Sequence, residues 1–348
     1  MERTDEWTAA LLAWFDANAR DLPWRESKPR DPYHVWISEI MLQQTRTEAV
    51  KPYFNAWMER FPRISDVAAA AEEDVLHAWQ GLGYYSRARN IWKAAQEIVN
   101  CCGGVMPETA EAIRRLPGIG EYTAGAVASI AFGQKEPAID GNLLRVYARL
   151  YAVREDILKT KGRKIIRSIA EATIPAERPG DFNEAMMDLG AEICIPKAPR
   201  CRDCPVRRYC EADRLGLSGT LPVRAKKKPQ TVFFAACGIV CRDGRYLMHK
   251  RPESGMLANM WEFPMALDAG EEKSREALAA LLRGQLGDKV WELTHVFTHR
   301  IWHMRAYTVP CAEVPAGADW QWFSRDDLRR IPLAGPHARL AAYLPGDF

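Results

Sequence analysis

The 348-residue chain is long enough for two domains, each with its own core. It is 47% hydrophobic and 27% charged, the balance of an ordinary soluble protein, and 48 basic against 45 acidic side chains leave a formal charge of only +3. These values exclude a disordered chain and do not by themselves announce a nucleic-acid partner; no apolar run approaches the ~18–20 residues of a membrane span, and the charged start MERTDEWTAA lacks the apolar stretch of a secretory signal.

The first 220 residues read as helices. Trp7, Leu11, Trp14 and Phe15 mark one apolar stripe within 7–19. Further helices are expected over 33–48, 64–78, 88–99, 108–115 and 122–131, parted by Pro62, Gly81-Leu82-Gly83, Gly103-Gly104 and the run Pro117–Gly120. Helices over 141–151, 164–173 and 183–194 follow. Near Leu217 the character changes: Ser218-Gly219-Thr220-Leu221-Pro222 and Lys226-Lys227-Lys228-Pro229 form a polar, basic linker. Beyond it strands are expected over 231–241 and 245–250 about an Asp243-Gly244 hairpin, then a helix over 275–286 and a strand pair over 290–297 and 301–309. The expected architecture is an all-α domain followed by a smaller α+β domain.

Nine cysteines, an odd number, argue against a complete disulfide framework and for a reduced, cytoplasmic compartment. Four crowd into one window as Cys194-x6-Cys201-x2-Cys204-x5-Cys210. Loops this short enclose no core, so the four thiolates point to a metal centre. The uneven spacing suits an iron–sulfur cubane better than zinc, which more often takes two close pairs; zinc stays open. The basic residues between them, Lys197, Arg200, Arg202, Arg207 and Arg208, fit phosphate contacts or an ordinary solvated loop.

Leu116-Pro117-Gly118-Ile119-Gly120 lies between two helices. Glycines at both ends of the turn allow positive φ and close backbone approach, and the following helix presents free N–H groups that suit a phosphate. Asp140 precedes the helix that begins near Gly141; it reads as an N-cap and as an aspartate held ionised by the helix dipole, able to stabilise a sugar cation. Glu39 lies in the otherwise apolar Val35-Trp36-Ile37-Ser38-Glu39-Ile40-Met41-Leu42. It is either an exposed helix-face residue or a buried acid with a raised pKa; in the second case, two acids in contrasting environments suit glycosidic-bond cleavage.

Together the hairpin, the Asp140 segment and the cysteine run resemble the helix-hairpin-helix DNA glycosylases of the endonuclease III superfamily. The segments from Ser38 to Thr45 and from Gly81 to Tyr85, with the C-terminal domain, resemble its adenine DNA glycosylase (MutY) branch over essentially the whole chain. The resemblance implies a helix-hairpin-helix glycosylase domain over 1–216, with a six-helix subdomain near 25–135 and an iron–sulfur subdomain of 1–24 plus 136–216. A linker over 217–230 and a Nudix-like 8-oxoguanine recognition domain over 231–348 complete it. It implies a [4Fe-4S] cluster on the four cysteines and excision of adenine opposite 8-oxoguanine or guanine in duplex DNA. A monomer in the prokaryotic cytoplasm, associated with the nucleoid, is expected.

Residue by residue, Glu39 matches the general acid that protonates adenine N7, and Asp140 the carboxylate that stabilises the oxocarbenium ion, with Asn142 and Tyr122 nearby. Bifunctional relatives carry a Schiff-base lysine where Tyr122 stands, so no strand-cutting step is expected there. Arg20, Leu22, Trp24, Arg25 and Glu184 match the lining of the pocket for the flipped adenine; on pattern alone, Leu22 and Trp24 read as packing, and Arg20 with Glu184 as a surface ion pair. Leu42, Gln43, Gln44 and Tyr84 match residues that probe the lesion, Tyr84 as a wedge. Phe297-Thr298-His299 matches a loop that reads 8-oxoguanine, with Thr where many relatives have Ser. In Arg275-Glu276-Ala277-Leu278-Ala279-Ala280, alanines replace two glutamates that hold the metal of working Nudix hydrolases, so nucleotide hydrolysis is not expected. His295, His299 and His303 lie in a β-patterned segment with a turn and are not expected to converge on a metal.

Overall fold

The computed structural model describes residues 2–225, 229–297 and 299–344. Lys226-Lys227-Lys228 of the expected linker and Thr298 of the expected recognition loop lie outside the described residues. Among the described residues no helix is long and apolar enough to cross a membrane. Contacts divide the chain into two units: Met1–Ala70 with Asn90–Lys226, and Ala71–Arg89 with Lys227–Phe348.

The helices follow in order: α1 (Glu2–Asn18), α2 (Pro32–Leu42), α3 (Thr47–Arg60), α4 (Ile64–Ala69), α5 (Glu72–Ala78), α6 (Ser86–Cys101), α7 (Ala110–Arg115) and α8 (Glu121–Phe132). Then come α9 (Gly141–Leu150), α10 (Thr160–Thr173), α11 (Pro179–Glu192) and the short α12 (Glu211–Arg214). Two stretches expected as single helices are each broken in two. The first ends at Leu42: Gln44 takes a left-handed φ of 61°, and a new helix begins at Thr47. The second breaks at Ala70, whose extended ψ of 153° closes α4. The alanine run 68–71 passes through the second break and conceals it; the first lies in the polar run 43–48, and α3 continues to Arg60, beyond the expected end at Glu48.

In the first unit, Trp7, Leu11 and Phe15 of α1 join a core built on α8 to α11, with the Trp7 ring 5.5 Å from Phe182. Helix α2 starts under a cap: the Asp31 carboxylate accepts from the Tyr33 and His34 N–H groups, and Pro32, lacking an N–H, occupies the first turn. Asp140 caps α9 in the same way.

The second unit contains β1 (Thr231–Ile239), β2 (Cys241–Arg242), β3 (Arg245–Lys250), β4 (Trp261–Glu262), β5 (Met265–Asp268), α13 (Glu271–Leu282), β6 (Lys289–Val296), β7 (Arg300–Thr308), β8 (Trp320–Ser324) and α14 (Gly335–Tyr343). One sheet has the order β5-β1-β7-β6, with β1 and β7 parallel; in the other β3 pairs with β2, β4 and β8. Asp243 and Gly244 both take positive φ, 51° and 71°, as a two-residue hairpin between β2 and β3 demands. The expected first strand ends at Ile239, and its last residue, Cys241, belongs to β2. Helix α13 lies four residues earlier than the pattern suggested, because Arg283 closes it in the left-handed region. In β6 and β7, His303 faces Thr294 and His295 faces Trp302, so His295 and His303 project from opposite faces of the sheet.

Candidate active site

The hairpin between α7 and α8 sets the first constraint. Leu116 and Ile119 are buried and fix the turn, while Gly118 and Gly120 are exposed. Gly118 has a φ of +74°, and a Cβ there would meet Asn90 Cβ at 2.4 Å. Gly120 differs from the expectation for both glycines: its φ of −90° is open to any residue, and it serves only as the N-cap position of α8. Gly118→Ala is therefore expected to cost about 1–3 kcal/mol and to weaken duplex DNA binding. Gly120→Ala should be far milder; thermal melting and filter binding of both variants check this.

Tyr122 enters two residues into α8 and points at α2. Its hydroxyl donates a short hydrogen bond to Glu39 Oε2 and lies 3.9 Å from Met187 Sδ. Glu39 is 5% exposed, which settles its two readings in favour of the buried acid. Burial is the main cause that raises its pKa to about 7; the Tyr122 bond opposes the rise, the charges of Asp140 and Glu184 add to it, and Arg25 opposes it. The Tyr122 phenol itself is driven up by burial and by Glu39 and Asp140, so it remains a donor.

Asp140 Oδ1 accepts from the N–H groups of Asn142 and Leu143, each at 2.8 Å, and Oδ2 accepts from Asn142 Nδ2 at 2.9 Å. The helix-start expectation was a depressed pKa. The net shift is upward instead, because desolvation outweighs these donors and Arg145. Asn142 is in turn held by Arg145, whose Nη2 donates to Asn142 Oδ1 at 2.9 Å and to the Gly190 carbonyl at 2.7 Å. Its Nε donates to the Cys194 carbonyl at 2.7 Å. Gly190 is required there, since a Cβ would stand 2.7 Å from Asn142 Cβ.

On the other side of Glu39 a buried ionic cluster joins the Arg20–Arg30 segment to α11. Arg25 Nε donates to Glu184 Oε1 at 2.7 Å, and its Nη1 and Nη2 donate to the two oxygens of Asp188 at 2.7 and 3.1 Å. Arg20 pairs with Asp188 at 2.5 Å, not with Glu184, and Arg30 reaches Glu184 Oε2 at 3.2 Å. Asp188 and Arg30 were not anticipated, though Asp188 stands four residues after Glu184 and so shares its helix face. Trp24 and Leu22 are buried, with the Trp24 ring 5.4 Å from Phe54, so both carry packing. At the break after α2, Leu42 and Gln43 are half-buried and Gln44 is exposed; Gln43 Nε2 lies 3.4 Å from Thr123 Oγ1.

In the second unit, Tyr84 is 45% exposed with a φ of 49°, an uncommon conformation for an aromatic residue. Phe297 is half-buried, its ring 4.8 Å from Trp302, and His299 is exposed in the turn before β7.

The four clustered cysteines are free and line one cavity of about 310 Å³ including its mouth, with Arg149 and Arg207. Among the described residues no group of three or more His, Cys, Asp or Glu is placed to hold a metal ion. The cysteines thus surround a space and do not converge on a point. Burial raises the Cys204 thiol to about 12, and its three neighbours push the same way, so a deprotonated set needs compensating positive charge. Arg149 supplies part, donating from Nη1 to the Ile195 carbonyl at 2.7 Å and lying 3.4 Å from Cys194 Sγ. That donor set fits a polynuclear iron–sulfur cluster. The five basic side chains between the cysteines are all exposed.

A glycine-turned hairpin between α7 and α8, with the buried Glu39 and the half-buried Asp140, is the arrangement of a helix-hairpin-helix DNA repair protein. Residues 37–172 match the HhH-GPD superfamily of base excision DNA repair proteins, and residues 235–343 match the NUDIX domain family. A solved thermostable thymine-DNA glycosylase superposes with a TM-score of 0.55 at 28% identity, over 62% of this chain and 98% of its own. An endonuclease III–DNA covalent intermediate, at 23% identity and a TM-score of 0.52 over 62% of this chain and 98% of that one, shares the fold. The adenine DNA glycosylase of Mus musculus is 35% identical, covering 89% of this chain and 72% of its own length. That of Buchnera aphidicola subsp. Acyrthosiphon pisum is 35% identical over 84% of this chain and 83% of its own. The chain belongs to the adenine DNA glycosylase family, enzymes of base excision repair that hydrolyse N-glycosyl bonds, and it binds DNA.

Proposed function

We propose that this enzyme excises adenine paired with 8-oxoguanine, or with guanine, from duplex DNA by hydrolysis alone, as a monomer. The observation that carries the reading is the Glu39–Tyr122 pair: a buried carboxyl with a pKa of about 7, bonded by a phenol where a strand-cutting relative would place an amine. Tyr122 occupies Glu39 Oε2 and leaves Oε1 to carry the proton. With adenine flipped into the pocket, that proton passes to N7 and the base leaves as a neutral purine. Asp140, fixed by its three donors, faces the positive charge that develops on the sugar, and Asn142 orients the water that completes hydrolysis. The cluster of Arg20, Arg25, Arg30, Glu184 and Asp188 holds α11 and the pocket wall, with Trp24 and Leu22 behind it.

Cys194, Cys201, Cys204 and Cys210 would hold the [4Fe-4S] cluster, whose iron–thiolate bonds cross-link a loop too short for a core. The exposed arginines between them and the Gly118 turn would contact phosphates. Leu42, Gln43, Gln44 and Tyr84 would probe the lesion, and Phe297 with His299 would read the opposite base. The expected domain limits, 1–216 and 231–348, and a cytoplasmic, nucleoid-associated site of action form part of the same proposal.

The test uses duplexes with adenine opposite 8-oxoguanine, guanine or thymine, scored for abasic sites with and without alkali. Excision opposite the first two, with breaks only after alkali, is the expected result; breaks before alkali would contradict the hydrolytic reading. Asp140→Asn is expected to lower excision about 100-fold or more while retaining mismatch binding. Iron and sulfide analysis with the visible absorbance of the purified protein tests the cluster, and stoichiometric zinc would replace it in the account.

A further inference from the structure

Within the second unit, Tyr84 stands at the end of a turn whose shape is held from two sides. Gly81 and Gly83 take φ of 102° and 70°, and Arg87 donates to the Leu82 and Gly83 carbonyls at 2.9 and 3.1 Å, with its guanidinium 5.6 Å from the Tyr84 ring. These contacts are local. Arg89, one turn into α6, makes different ones. Its backbone N–H donates to the Tyr85 carbonyl at 3.1 Å, and its Nε donates to Glu72 Oε1 on α5 at 2.9 Å. Its Nη2 donates to the Ala258 carbonyl at 2.5 Å. Asn259 Nδ2 lies 3.4 Å from the same Glu72 oxygen.

The receiving loop is itself held by hydrogen bonds. Leu257 and Asn259 both take a φ of 57°, Ala258 is buried, and Arg251 Nε donates to the Met256 carbonyl at 3.0 Å. Arg251 Nη1 continues at 2.6 Å to Glu262 on β4, which also bonds His249 of β3 at 3.2 Å. Polar contacts at Ala258 and Met256, joined by the short backbone between them, therefore link the helix that follows the Tyr84 turn to the strands of the Nudix-like fold through one guanidinium. Arg89 uses separate nitrogens for the two sides, a geometry that lysine does not reproduce.

We propose that Arg89 is a positioning residue for base-pair specificity: the contact of Arg89 with Glu72 and the Ala258 carbonyl couples the lesion-reading fold to the Tyr84 turn. The inference rests on the function proposed above. When the opposite base is 8-oxoguanine, the loop braces Tyr84 in the conformation that lets adenine flip; opposite guanine that bracing adds little. Arg89 touches no reacting atom, so its loss should leave the basal reaction intact and lower only the preference.

The test measures single-turnover excision of adenine opposite 8-oxoguanine and opposite guanine by the full-length wild type, Arg89→Ala, Arg89→Lys and Glu72→Ala. The expected result is that Arg89→Ala lowers the ratio of the two rates by about fivefold or more. The guanine rate and the melting temperature should stay near wild type, Lys should fail to restore the ratio, and Glu72→Ala should shift it in the same direction. An unchanged ratio in both alanine variants overturns the proposal, as does an equal fall in both rates, which would make Arg89 merely structural. A wild type that does not excise adenine opposite 8-oxoguanine overturns the functional reading itself, independently of any Arg89 variant.

Discussion

Replacing Glu39 with Gln is expected to lower adenine excision by about 10²–10⁴-fold and, at the same time, to stabilise the protein above neutral pH. Gln keeps the acceptor for the Tyr122 hydroxyl but carries no proton to give. The stability effect follows from linkage. In the unfolded chain this carboxyl titrates near its ordinary 4.5, and in the fold near about 7, so the folded state holds the proton more tightly. Below pH 4.5 both states are protonated and Glu39 costs nothing. Between 4.5 and about 7 the penalty of keeping or burying the ionised group grows, and above 7 it is complete at about 3 kcal/mol. Denaturant unfolding at pH 5 and pH 8 checks the sign: the gain from Glu39→Gln should be small at pH 5 and largest at pH 8. A gain of equal size at both values would mean that Glu39 is not a buried acid with a raised pKa.

Asp188→Asn carries the second large expectation. Asp188 is fully buried and answers both Arg25 and Arg20. Neutralising it leaves Arg25 with Glu184 as its ionic partner and Arg20 with the Thr47 hydroxyl, and removing one partner of a buried cluster typically costs about 3–5 kcal/mol. Arg25 also opposes the rise of the Glu39 pKa, so the loss reaches the Glu39 carboxyl as well as the fold. Thermal melting should fall clearly, and excision should fall with it even at temperatures where the variant remains folded. Arg178→Ala, which breaks exposed pairs with Asp16 and Asp181, serves as the control and is expected to change stability by less than about 1 kcal/mol.

The two carboxyl positions proposed for catalysis were legible because their signals are local, while their roles came from the family resemblance and the burial of Glu39 from the fold. A carboxyl in an apolar helix, an aspartate just before a helix, glycine in a tight turn and four close cysteines each carry meaning within a few residues. What the sequence hid depends on tertiary context. The expected helix runs on from Leu42 through the polar residues Gln43 to Glu48, where Gln44 in fact turns left-handed, and no helix is expected over most of α3, whose burial of Val50, Phe54 and Trp57 is set by the packed fold. The pairing of Arg20 with Asp188 is set by how the Arg20–Arg30 segment lies on α11, and nothing in the local sequence prefers it to Glu184. Asp140 shows the same limit in energetic form: its N-cap donors are legible, but the desolvation that outweighs them belongs to the packed fold. β8 and α14 were missed because their apolar residues form short patterns that mean little before the strands of the second unit assemble around them.

The most direct measurement is the pH dependence of single-turnover excision by the wild type on a duplex with adenine opposite 8-oxoguanine. A proton donor with a pKa of about 7 predicts a decline in rate as the pH climbs through neutrality, absent from the residual activity of Glu39→Gln. A wild-type rate that stays level or increases from pH 6 to 9 would contradict a protonated Glu39 as the group that starts the reaction.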